Sequence, residues 1–84
     1  MRGEMMPHVN LTPDQQAEVL KKLPVLVYFE YAHLPDHLQR VSRPLCELAW
    51  QAAADLPSGP ELAAGLRKLL EAKDCLVRAE LSRA

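Results

Sequence analysis

The chain is poor in the residues that staple small folds. It has two cysteines, Cys46 and Cys75, 29 positions apart, too few for a disulfide scaffold and without paired metal-ligand spacing. Three glycines are present, and none sits in a phosphate-cradling loop or a Gly-x-Ser-x-Gly elbow. Aromatic residues are 5% of the chain. Neither sign of charge prevails: 10 basic residues stand against 11 acidic ones, for a net charge of -1, and no half is basic. That excludes binding to a nucleic-acid backbone by bulk charge. The longest apolar run, Val25 to Phe29, is far too short to span a bilayer. Met1-Arg2-Gly3-Glu4 leads into no apolar h-region. The expectation is a cytoplasmic chain with no membrane partner and with reduced thiols.

What remains is a Leu- and Ala-rich composition, 49% apolar and 25% charged, which reads as all-α. A single domain of this length buries only about 60% of the surface that its unfolded chain exposes. With no disulfide or metal to help, self-association is the expected source of further stability.

Proline and glycine divide the chain. Residues 1–11 read as a flexible leader and 12–84 as one helical domain. Thr12-Pro13-Asp14-Gln15 predicts a helix start, with Thr12 as N-cap, Pro13 at the first helical position and Gln15 completing a capping box. Val19, Leu20 and Leu23 give this short helix an apolar side, and Pro24 ends it. Val25 to Tyr31 is β-branched and aromatic and locally prefers an extended chain. It has no second strand to pair with, so it is a buried connector or a continuation of helix. Pro35 opens a helix over about 35–55 whose apolar face is Leu38, Val41, Leu45, Leu48 and Ala52, at spacings 3, 4, 3, 4. Pro44 inside it predicts a kink near Arg40 to Arg43. Leu56-Pro57-Ser58-Gly59-Pro60 is a turn, with Ser58 and Glu61 as a second capping box.

The last helix covers about 60–81. Leu62, Leu69 and Leu76 recur every seven residues, with Gly65, Ala72 and Ala79 between them. Leu66, Leu70, Val77 and Leu81 form a second apolar row. One partner helix cannot cover both rows, which again predicts a homo-oligomer. The short turn makes the two long helices an antiparallel hairpin in which facing residues have numbers summing to roughly 116. Cys46 then lies near Leu70, about 7–8 Å along the axis from Cys75 and beyond disulfide reach. Both thiols read as small buried hydrophobes.

Catalytic signals are thin, and no catalytic residue, cofactor or metal is expected. His33 and His37 have the spacing of a metal pair on a helix, but Pro35 between them marks a helix start, so a surface or capping role is favoured. Phe29 reads as a plug over the hairpin. Tyr31 differs, because His33, Arg40 and Arg43 follow closely. A tyrosine ring can stack on a base while arginines hold phosphates by charge-assisted bonds.

Tyr31-Ala32-His33-Leu34-Pro35, the amphipathic helix, the short turn and Leu69-Leu70-Glu71-Ala72-Lys73-Asp74-Cys75-Leu76-Val77-Arg78-Ala79 together resemble the phage hairpin-domain anti-CBASS family, related in that domain to anti-Thoeris sponges. The resemblance spans about residues 28–81. It implies a compact homo-hexamer that sequesters cyclic di- and trinucleotide second messengers of bacterial immunity without cleaving them. The family's Tyr-x-x-Leu element falls on Tyr31 and Leu34, where the tyrosine stacks on a base of a cyclic dinucleotide lying between two protomers. Fifteen positions after that tyrosine the family carries a phosphate-gripping lysine; this chain has Cys46. Arg43 or Arg40 substitutes only if the kink at Pro44 turns it inward; otherwise only a trinucleotide site on the last helix remains. An arginine linked to a separate trinucleotide site aligns with Leu66, followed here by Arg67 and Lys68, and an arginine towards the helix end matches Arg78. These basic residues also alternate with Glu71, Asp74 and Glu80 as an ordinary solvated helix face would.

Two further readings stand beside the sponge. One is a helical adaptor that binds a host or phage protein through a spare apolar row. The other is a small DNA-binding helix-turn-helix protein, which the near-neutral charge argues against. An enzyme is the least supported.

Overall fold

A computed structural model of the chain describes residues 11–83. All but the last residue of the 1–11 leader lies outside the described residues. Among those described, the chain is all-α with no strand: α1 (Pro13–Lys22), a 3-10 helix (Pro24–Phe29), α2 (Asp36–Asp55) and α3 (Pro60–Leu81).

Helix α1 starts as its sequence dictates. The Thr12 hydroxyl accepts from the Gln15 amide at 3.1 Å, and the Gln15 carboxamide oxygen accepts from the Thr12 amide at 2.9 Å, so two of the four orphan donors of the helix start are satisfied reciprocally. Gln16 is buried against the apolar side, and its Nε2 donates to the Leu11 carbonyl at 3.2 Å. The helix stops at Lys22, with Leu23 as C-cap and Pro24 beyond it.

The apolar segment after Pro24 forms neither strand nor α-helix. A 3-10 helix has three residues per turn, so side chains three apart stack on one side. Leu26 and Phe29 accordingly point inward at 1% and 0% exposure, while Val27 and Tyr28 face out at 44% and 64%. Phe29 is the plug expected of it. It joins Leu26, Cys46, Ala49, Trp50, Leu62 and Leu66 in the core. The 3-10 helix packs on α1, α2 and α3 and so ties the N-terminal helix to the hairpin.

Helix α2 runs unbroken through Pro44. Its buried face is Leu38, Ser42, Cys46, Ala49 and Trp50; of the predicted row Leu38, Val41, Leu45, Leu48 and Ala52, only Leu38 belongs to it. Docking of Leu26 and Phe29 selects the Cys46–Trp50 side. The other four border the seam with α3: Val41, Leu45 and Ala52 are half-buried and Leu48 is exposed. Lining of that seam pairs Leu48 and Ala52 with Gly65 and Leu69, and Val41 and Leu45 with Leu76 and Ala79, the antiparallel register expected of a short turn.

Two smaller expectations fail. The second capping box is absent, because α3 begins at Pro60 and its N-cap is Gly59, with no side-chain cap bond. Ser58 stands one residue too early to reach the first amides. Gly59 has φ 157°, which glycine adopts without a Cβ penalty. Cys75 is exposed, whereas Cys46 is buried as expected. Nine residues separate Cys75 from the buried Leu66. That is two and a half turns at 3.6 residues per turn, which puts the thiol on the opposite side of α3.

Candidate ligand-binding site

Tyr31 and Leu34 bracket a tight turn. The Leu34 amide donates to the Tyr31 carbonyl at 2.9 Å. The turn is then fastened to α2 by Gln39, whose Nε2 donates to the carbonyls of Leu34 at 2.8 Å and Ala32 at 3.3 Å. Tyr31 is half-buried against the core, and Leu34 is half-buried beside it. His33 lies in the turn, exposed and ahead of the first residue of α2, so it does not share a helix face with His37.

Arg43 reaches back over this turn. Its Cζ lies over the Tyr31 ring, 6.0 Å from the centroid, the outer limit of a cation–π contact. Nε donates to Glu47 Oε2 at 2.9 Å, one turn further along α2. The bond to Glu47 raises the Arg43 pKa, with the nearby Tyr31 and the Glu47 charge adding to it. Arg40 lines the same shallow cleft on α2 as Asp36, Gln39, Arg43 and Pro44, about 450 Å³ in volume.

Cys46, where the resemblance would place a phosphate-gripping lysine, is inside the core. Cys46 is 2% exposed, and burial pushes its thiol up to about 12, with Glu30 and Glu47 acting the same way and Lys73 against them. A group at this position does not meet solvent, so any cation for a phosphate has to stand elsewhere.

The basic residues of α3 do not join Tyr31. Arg67 and Lys68 are exposed, and Arg78 is exposed with its Nη2 donating to the Cys75 sulfur at 3.4 Å. Arg67 and Arg78 are eleven residues apart on the helix, about 16 Å along its axis. At the open end of the hairpin, Arg83 bonds Glu80 at 2.7 Å and holds its carboxyl below the usual range, with His37 and Arg40 contributing from α2. Of the residues singled out in the sequence, Tyr31, His33, Leu34, Arg40 and Arg43 lie on the turn and the first half of α2, and Arg67, Lys68 and Arg78 are separate surface groups on α3.

Three residues of this region carry no motif signal. Gln39 fastens the turn, and Glu47 holds Arg43. Lys73 lies seven residues after Leu66 on the inward row of α3, its side chain 15% exposed and its Nζ 3.2 Å from Asp74 Oδ1. The Arg43–Glu47 spacing of four was legible as a helix-surface ion pair; the other two depend on how the turn and α3 pack.

Along the α2–α3 seam lies a second feature, an apolar groove of about 690 Å³ lined by Leu48, Ala52, Leu56, Leu62, Leu66 and Leu69. Leu48, Leu56 and Leu76 along this seam are 53%, 55% and 49% exposed, which is far more apolar surface than the interior of a hairpin leaves open. Among the described residues no group of three or more His, Cys, Asp or Glu could hold a metal ion, and no helix is long and apolar enough to cross a membrane.

Fold and site together define a small all-α helical hairpin, preceded by a short helix, with a tyrosine–arginine pair at the start of its first long helix. Comparison with protein-family models, with curated protein sequences and with solved structures returns no match.

Proposed function

We propose that the chain is a non-enzymatic phage anti-defence protein. It sequesters cyclic di- and trinucleotide immune second messengers without cleaving them, in the cytoplasm of the infected bacterium. The observation that carries this reading is the Arg43 guanidinium 6.0 Å from the Tyr31 ring, on a turn that Gln39 holds in place. In this reading a base stacks on the Tyr31 ring, and the phosphate next to it meets the arginine by charge-assisted bonds. Arg43 thereby takes the role for which Cys46 is unsuited. The exposed Arg67, Lys68 and Arg78 are the candidates for a separate trinucleotide site on α3.

Self-association belongs to the same proposal. The groove along Leu48, Leu56 and Leu69 accepts a second copy, and the hexamer is the assembly that the family resemblance implies. Sedimentation at micromolar concentration is expected to give a species several times the 9.4 kDa protomer. Leu69→Glu, which puts a charge into the groove, is expected to reduce it to monomer; a wild-type monomer refutes self-association.

Isothermal titration with cyclic di-AMP, cyclic di-GMP and cyclic tri-AMP tests the ligand reading on wild type, Tyr31→Ala, Arg43→Ala and Arg67→Ala. Tyr31→Ala is expected to weaken dinucleotide binding by about 1–3 kcal/mol, and Arg43→Ala to abolish it. Arg67→Ala is expected to affect only the trinucleotide. Wild-type silence towards every probe refutes the sponge. The same exposed groove would then favour the second reading, a helical adaptor that binds a host or phage protein.

A further inference from the structure

Arg43 and Glu47 form an ion pair with an unusual division of labour. The carboxylate takes only the inner nitrogen, Nε, at 2.9 Å. Among the described residues the terminal nitrogens, Nη1 and Nη2, make no hydrogen bond, and the side chain is 62% exposed. The guanidinium is thus held on two sides, by Glu47 at its inner edge and by the Tyr31 ring at 6.0 Å. Its outer edge, the one suited to a bidentate oxyanion contact, is left to solvent.

The pair does little for the helix itself. It is exposed, its order is basic before acidic, and that is the weaker orientation on the helix dipole. Its consequence is local. Arginine carries a large rotamer entropy, and a guanidinium free to sweep the surface would have to be ordered each time a ligand bound. The Glu47 bond fixes it beforehand beside the ring that receives the base. A carboxylate placed here also lies next to any bound phosphate and repels it. That cost is moderate, because the guanidinium stands between the two anions and solvent screens the rest.

We propose that Glu47 is a positioning residue of the Tyr31 site: without touching the ligand, it sets Arg43 in the one arrangement where ring and cation meet a nucleotide together. This rests on the ligand reading above and adds to it the residue on which Arg43 depends.

The test combines ligand-free and ligand-bound measurements on the full chain. In the free protein, the Arg43 Nε–Hε resonance is expected to exchange slowly in wild type and quickly in Glu47→Ala. Equal exchange in the two means that no such bond forms, and it overturns the inference whatever the ligand result. Titration with cyclic di-AMP and cyclic di-GMP is expected to show Glu47→Ala weaker by about two- to tenfold, the scale of ordering one long side chain. Glu47→Gln, which keeps an acceptor oxygen, recovers most of that loss, and the melting temperature stays that of wild type. Unchanged or tighter binding by Glu47→Ala overturns the inference, since Glu47 would then be idle or a competitor for Arg43. Wild-type silence towards both probes overturns the sponge reading instead, and is told apart because no variant then has a signal to lose.

Discussion

The segment Val25–Phe29 offers the sharpest test of the fold. A strand would bury every second residue, 25, 27 and 29; the 3-10 helix buries residues three apart, Leu26 and Phe29. The discriminating pair is Leu26 and Val27, neighbours with opposite exposure, 1% against 44%. Truncating a fully buried leucine to alanine costs about 2–5 kcal/mol, and a buried phenylalanine about 3–5 kcal/mol. Stability of about 0.05–0.15 kcal/mol per residue gives an 84-residue chain a total of about 4–13 kcal/mol. Phe29→Ala therefore removes a large part of what holds the protomer folded. Phe29 sits where the 3-10 helix meets α2 and α3, so the cavity opens at their junction and cannot close by a shift of one side chain. At about 4–8 °C per kcal/mol for a domain of this size, Phe29→Ala is expected to melt at least about 12 °C below wild type, and Leu26→Ala at least about 8 °C below. Val27→Ala removes a half-exposed side chain and costs about 1 kcal/mol or less. Circular dichroism melts at one fixed protein concentration read all three, because the stability of a self-associating chain depends on concentration. Equal losses for Leu26→Ala and Val27→Ala would refute the 3-10 packing, and a wild-type melt for Phe29→Ala would refute its place in the core.

The two thiols are expected to separate chemically. A thiol reagent at pH 8 should label Cys75 in the native protein, and Cys46 only after denaturation, because Cys46 is buried and its pKa is pushed up to about 12. In the unfolded chain the same thiol ionises near its ordinary value of about 8.5, so the unfolded state loses its proton first. The stability tied to Cys46 is complete below that pH and is lost as pH rises towards about 12. A stability–pH curve that keeps this alkaline fall in Cys46→Ala would refute the assignment. Gln39→Ala deletes both bonds that fasten the Tyr31 turn and should cost about 1–2 kcal/mol locally. Hydrogen exchange at the Leu34 amide reads it: exchange no faster than in wild type would mean that the turn holds without Gln39.

The three α-helices and their order are legible in the sequence, whereas the 3-10 helix between the first two is not. Thr12, Pro13 and Gln15 specify a helix start through local hydrogen bonds and a fixed φ, and nothing distant alters that. Two long helices and their antiparallel register follow from apolar spacing and a turn too short for any other path. Tyr31, Leu34, Arg40 and Arg43 were within reach because they lie close along the chain at the start of one helix. The rotation of that helix was not legible. Helix α2 carries apolar residues on more than one side, so periodicity alone named Val41, Leu45 and Leu48, and only the arrival of Leu26 and Phe29 settled on Cys46, Ala49 and Trp50. Cys75 is a similar case: spacing placed it on a helix, but which side of α3 meets α2 is decided between helices, and that left it exposed. Ser58 shows the limit of a local motif, since a helix beginning one residue later hands the cap to Gly59. The hold of Gln39 on the turn and the inward place of Lys73 depend on side-chain directions that only packing fixes, and the seam along Leu48, Leu56 and Leu69 stays open because one hairpin mate has too little surface to cover two apolar rows.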